Sequence, residues 1–190
     1  MAFESDWAFL RAALPDLRDY ILSNEVYWTL RPAQRNLGGT QIPQLTIGNV
    51  LLSHARLSAL DLTPEQEAEL TKIAQGIHQV REEWRANWGI KAAREFSSRL
   101  NLWQQYVREL RSDPRRSGSS YSSEVRARAI LRLLTAELTQ PLSASDEEML
   151  TMLDQILRGI SKPGPFIWAP ALEDGFPTEG FWFLYVRLGD

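Results

Sequence analysis

The amino-acid sequence predicts a mainly α-helical protein, a bundle of five or six helices with one long helix and a small C-terminal β hairpin. Three observations carry that expectation. Apolar residues recur at helical spacing through most of the chain, several helix-start signals stand at the head of those stretches, and the helical periodicity gives way after Lys162 to short aromatic runs bounded by Pro and Gly.

A chain of 190 residues suits a single structural domain, with a helical bundle over residues 1–162 and an aromatic-rich hairpin tail over residues 163–190 packed on it. The hydrophobic fraction of 44% and charged fraction of 24% are those of a folded globular protein, so the whole length is expected to order. Seven tryptophans predict an aromatic core or an aromatic interface.

In the first segment Phe3, Trp7, Leu10, Leu14, Leu17 and Ile21 share one helical face. Pro15 inside that run predicts a kink or two helices meeting near Leu14, because proline lacks an N–H and crowds the carbonyl four residues back. From Ser23 to Pro43 the periodicity is lost, and Arg31-Pro32 and Gly38-Gly39 predict loop. Thr46 is then the expected N-cap of a helix to about Leu60, whose apolar residues cover most of its circumference, as in a centrally buried helix.

Thr63-Pro64-Glu65-Gln66 is the clearest helix start, with Thr63 as N-cap, Pro64 at the first helical position and Gln66 placed to close a capping box. A stripe follows through Leu70, Ile73, Ile77, Val80, Trp84, Trp88, Ala92, Phe96, Leu100, Trp103, Val107 and Leu110, at about 3.6 residues per step. It predicts one continuous helix bent at Gly89, the alternative being two helices broken there. A rod of that extent would reach about 70 Å, beyond the ~40 Å breadth of a compact domain of this size. Coverage by a second copy, in a homodimer built along the helix, is therefore the expectation.

Residues 111–120 are polar and rich in Pro, Gly and Ser, which predicts a mobile loop. A further helix is expected from about Ser123 to Leu138, and another behind a Ser145/Glu148 capping box, ending near Gly159. In the tail, Phe166–Ala169 and Phe181–Val186 predict the two strands of the hairpin.

Composition narrows function mainly by exclusion. With no cysteine and only His54 and His78, thiolate sites are ruled out and metal sites poorly supplied, so no cofactor and no metal is expected. The acidic N-terminal stretch, the lack of a membrane-spanning apolar run and the lack of cysteine together predict a soluble cytoplasmic protein. A net charge of −3 disfavours nucleic acid. The basic group Arg108, Arg111, Arg115 and Arg116 beside Tyr121 is expected to be solvated charge.

One constellation invites a ligand. On an ideal wheel Arg81, Glu95 and Arg99 fall in the sector of Trp84 and Trp88, with Arg85 beside them. Such a group could hold a carboxylate or phosphate on arginine against an aromatic face, or it could be arginine stems reaching out of a core. His54, among apolar neighbours, is either a ligand-binding imidazole or a core histidine bonded to backbone. The sequence thus predicts a non-enzymatic helical interaction or structural protein that self-associates. The alternative is a protein or enzyme binding a small anionic ligand in an Arg/Trp-lined pocket of Arg81, Trp84, Arg85, Trp88, Glu95, Arg99 and His54.

Overall fold

The computed structural model describes residues 2–30 and 42–188 and is mainly α-helical, with a small two-stranded antiparallel hairpin near its C-terminal end. The Arg31-Pro32 and Gly38-Gly39 loop expectation lies outside the described residues. The chain divides into two compact units, Met1–Glu95 and Phe96–Asp190.

The first unit opens with α1 (Ala2–Ala13), a single 3-10 turn at Leu14–Asp16 and α2 (Leu17–Leu22), so Pro15 starts a tight turn between two helices, as its missing N–H requires. Helix α3 (Ile47–Ser58) begins at Thr46, whose hydroxyl accepts from the Asn49 amide at 3.0 Å, and it lies against α1. Buried Asp6 joins the two helices: Ser53 Oγ donates to its Oδ1 at 2.9 Å, and Arg56 Nε stands 3.4 Å from Oδ2. Phe9, Leu10, Leu17, Tyr20, Ile47, Leu52 and Leu57 form the core around them.

Helix α4 (Pro64–Glu83) carries the expected capping box at Thr63 and Gln66 in full. Its continuation differs from expectation. The helix stops at Trp84, where φ is −120° and ψ 37°, and α5 (Arg85–Ser112) starts directly after it. Gly89, the residue expected to bend the rod, is buried inside α5 without interruption. Neither proline nor glycine marks the real break. At the break the Trp84 ring centroid lies 5.6 Å from the guanidinium carbon of Arg18 on α2. Downstream of the break Trp88, Ala92, Phe96, Leu100, Trp103, Val107 and Leu110 are all buried within the single chain.

In the second unit the expected loop at residues 111–120 is largely helical: α5 runs to Ser112, and α6 (Pro114–Gly118) follows with Asp113 as its cap and Pro114 at its first position. After α7 (Tyr121–Glu124) and α8 (Arg126–Thr135) comes α9 (Ala144–Ile160). Its N-cap is Ser143, whose hydroxyl accepts from the Asp146 amide at 3.1 Å, so the expected start at Ser145 is two residues late. Arg128 of α8 grips Asp154 of α9 with two parallel hydrogen bonds of 2.8 and 2.7 Å, and lies over the Phe183 ring.

The hairpin pairs β1 (Ser161–Pro163) with β2 (Val186–Leu188), in the register Ser161 to Leu188, Lys162 to Arg187 and Pro163 to Val186. Phe166–Ala169 is not a strand and Phe181–Leu184 is helical, contrary to the pattern of the aromatic runs. Proline decides this locally, since Pro170 starts a 3-10 stretch (Pro170–Gly175) and Pro177 precedes α10 (Thr178–Phe181). The rings then bury against one another, Phe166 on Tyr185 at 5.2 Å, Trp168 on Phe176 at 5.3 Å and Phe176 on Phe181 at 5.0 Å, without needing a ladder.

Candidate functional site: a cationic aromatic cavity in the C-terminal unit

The break at Trp84 resets the helical phase, so a wheel drawn from Arg81 to Arg99 no longer describes one face. Arg81 is half-buried on α4, whereas Arg85 is exposed and its Nη1 lies 3.8 Å from Glu82. Trp88 is buried, and the Trp84 indole N–H is enclosed with no acceptor. Glu95 is fully buried and serves the fold, because its Oε2 accepts the Gly48 amide at 2.9 Å and so satisfies an orphan donor in the first turn of α3. Arg99 and His54 line cavities, but different ones. Arg99 borders a polar cleft of about 460 Å³ with Trp103, Tyr106 and Glu109 in the second unit. His54 borders a groove of about 610 Å³ in the first. The structure does not gather the seven residues into one site.

An arginine over a tryptophan ring beside a cavity does occur, at residues that the helical wheel does not reach. Arg158, in the last turn of α9, places its guanidinium carbon 3.7 Å from the centroid of the Trp182 ring. Both border a cavity of about 480 Å³ shared with Lys162, Gly164, Tyr185 and Val186. Contact with the ring face leaves the guanidinium N–H groups available to a planar or tetrahedral oxyanion. Lys162 adds a second positive charge.

Among the described residues no carboxylate lines the cavity, and neither Arg158 nor Lys162 pairs with one. Lys162 stands directly across the hairpin from Arg187, a like-charge pair that costs stability on a sheet. The C-terminal end of α9 supplies about half a negative charge against these full positive ones. Slightly farther out Glu173, Asp174 and Glu179 help burial to push the Tyr185 hydroxyl above the ordinary phenol range, burial being the larger cause.

Backbone geometry holds the floor of the cavity in place. A Cβ on Gly164 would stand 3.0 Å from the Arg187 nitrogen and 3.1 Å from the Val186 carbonyl carbon, so a side chain here would have to push strand backbone aside by a few tenths of an ångström. The Tyr185 hydroxyl donates to Phe176 O at 3.0 Å and the Ser161 hydroxyl donates to Leu157 O at 2.7 Å. The sequence carries a local signal for part of this: Arg158 and Lys162 are one helical turn apart in spacing. Nothing local announces that Trp182 arrives beside them.

Among the described residues no group of three or more His, Asp or Glu is placed to hold a metal ion, and no helix is long and apolar enough to cross a membrane. The chain matches no family model, no curated protein and no solved structure.

Proposed function

We propose that this chain is a small-molecule-binding protein that takes an organic monoanion in the cavity of Arg158, Lys162, Trp182 and Tyr185. The observation that carries the reading is the stacked Arg158 guanidinium beside Lys162 at a cavity without a lining carboxylate. Trp182, Tyr185 and Val186 give the ligand's body an apolar wall, while the charged head meets the two cations. The acidic fringe of Glu173, Asp174 and Glu179 disfavours a second or third negative charge, so a carboxylate suits the site better than a polyphosphate. Binding rather than catalysis is favoured because the Ser161 and Tyr185 hydroxyl protons are already engaged with backbone carbonyls.

Self-association through the long apolar stripe has less support. The stripe from Trp88 to Leu110 is buried within one chain, and α5 alone is 28 residues, about 42 Å. Light scattering at high concentration tests it directly, a monomeric mass being the outcome this geometry favours.

The binding reading is tested with naphthalene-2-carboxylate against its neutral amide, followed by tryptophan fluorescence. Saturable binding of the acid is expected, with little from the amide. Arg158→Gln removes a charge-assisted bond of about 1.5–3 kcal/mol, a loss of roughly tenfold to a hundredfold in affinity. Equal binding of acid and amide, or an unaffected Arg158→Gln variant, refutes the proposal.

A further inference from the structure

Four arginines gather where α5 passes into α6: Arg108 and Arg111 near the end of the long helix, Arg115 and Arg116 in the short one. All four are exposed, and among the described residues none of their side chains makes an ion pair, a hydrogen bond or a ring contact. The two acids of the same stretch are engaged elsewhere. Glu109 Oε1 accepts from Gln105 Nε2 at 3.1 Å, and Asp113 Oδ1 accepts from the Arg116 amide at 3.1 Å as the cap of α6. Residues 108–116 thus hold four arginines against two carboxylates, a net charge of +2 in a chain whose total is −3.

Spacing decides what kind of anion such a patch can take. Arg108 and Arg111 stand one turn apart on α5, with Cβ atoms about 5–6 Å apart. From Arg111 to Arg116 is at most about 18 Å of chain, and the Ser117 amide, bonded to Asp113 O at 3.1 Å, coils that stretch short of this limit. One small anion cannot span the group, whereas an extended acidic segment sets same-side carboxylates about 7 Å apart and meets the arginines one by one. Arginine at all four positions, with no lysine among them, favours paired hydrogen bonds to planar carboxylates. Nucleic acid suits the patch less well. The nearby Tyr106 and Tyr121 are buried, so neither ring is offered to a base, and the net negative charge of the chain disfavours a long polyanion.

We propose that the corner between α5 and α6 is a docking surface for an acidic peptide segment of a partner protein, with Arg108, Arg111, Arg115 and Arg116 as its anchors. It stands independently of the anion cavity, since no residue is shared between them.

The probe is fluorescein-labelled octaglutamate, titrated with the full chain at low salt and followed by anisotropy, with octalysine and a single-stranded oligothymidylate of the same length in parallel. Saturable binding of octaglutamate is expected, falling as salt is raised, with none of octalysine. The double variant Arg115→Gln/Arg116→Gln, at exposed positions, should keep the circular dichroism spectrum and weaken octaglutamate about tenfold, while Arg158→Gln leaves it unchanged. Absence of saturable binding, equal binding of octalysine, tighter binding of the oligothymidylate, undiminished binding by the double variant, or a loss through Arg158→Gln each overturn the assignment.

Discussion

Lys91 is an ammonium with 3% of its surface exposed, and replacing it with methionine should reveal what holds the start of α5 to the turn after α2. Its Nζ donates to Ser23 O at 2.8 Å, to Glu25 O at 2.7 Å and to Ser23 Oγ at 3.2 Å, and it sits 4.6 Å above the Tyr20 ring. Two short charge-assisted bonds to carbonyls contribute about 1.5–3 kcal/mol each, whereas methionine restores roughly 2 kcal/mol through burial of its thioether chain. Lys91→Met should therefore cost about 2 kcal/mol near neutral pH. The pH dependence adds a sharper test. Burial foremost, with Arg94 in support and Glu25 opposing, lowers the Lys91 pKa from 10.5 to about 8. Below that value native and unfolded chains are both protonated, and the cost of the buried charge is constant. Between about 8 and 10.5 the unfolded chain keeps a proton the native chain has released, so stability rises with pH. Relative to Lys91→Met, the wild type should gain about 2 kcal/mol by pH ~9.5. Urea unfolding of both proteins, followed by far-ultraviolet circular dichroism at the two pH values, measures this directly. A variant as stable as the wild type at neutrality, or a deficit that does not widen with pH, refutes the argument.

Alkaline stability should move the other way through the tyrosines. Burial pushes Tyr106 up to about 12 and Tyr121 higher still, so above pH ~10 the unfolded chain releases protons that the native chain retains and stability falls; ultraviolet titration should show these two hydroxyls ionising only with unfolding. Asp154→Asn breaks the bidentate grip of Arg128, whose side chain is 8% exposed, and should cost about 3 kcal/mol in urea unfolding, with a cost below about 1 kcal/mol showing that the pair is dispensable. Two glycines should respond oppositely in thermal melts. Gly159→Ala, with nothing within 4 Å of the new Cβ in α9, should stabilise by up to about 1 kcal/mol, while Gly164→Ala drives a Cβ against strand backbone and should destabilise by about 1–3 kcal/mol.

What is legible in the sequence is local chemistry. Thr46 and Thr63 cap helices because a hydroxyl three residues before an otherwise orphaned amide needs no tertiary partner, and the stripe from Leu70 to Leu110 has helical period whether or not the helix is one piece. The break at Trp84 is invisible for the converse reason. Trp84 there meets Arg18, 66 positions earlier, a neighbour that no local pattern announces. The tail misleads through composition: β-favouring aromatics report burial on a surface, and rings stacked edge to face bury as well as rings on a ladder, so the prolines at 165, 170 and 177 are the better guide.

The same division explains why arginine–tryptophan chemistry can be expected from the sequence while its residues cannot. Projection onto a wheel assumes an unbroken helix, and one residue with ψ of 37° is enough to scatter Arg81, Arg85 and Arg99. Arg158 and Trp182 meet instead across a turn-rich segment whose path is set by prolines, ring packing and the pairing of Ser161–Pro163 with Val186–Leu188. That pairing also sets Lys162 opposite Arg187. A fold selected for stability alone gains nothing from two cations facing each other across three-residue strands beside an arginine already committed to an indole. An oxyanion held by Arg158 and Lys162 offsets part of that repulsion, so the anion-site reading makes a physical demand that a purely structural tail does not: ligand should raise the melting temperature of the wild type and leave that of Arg158→Gln nearly unmoved.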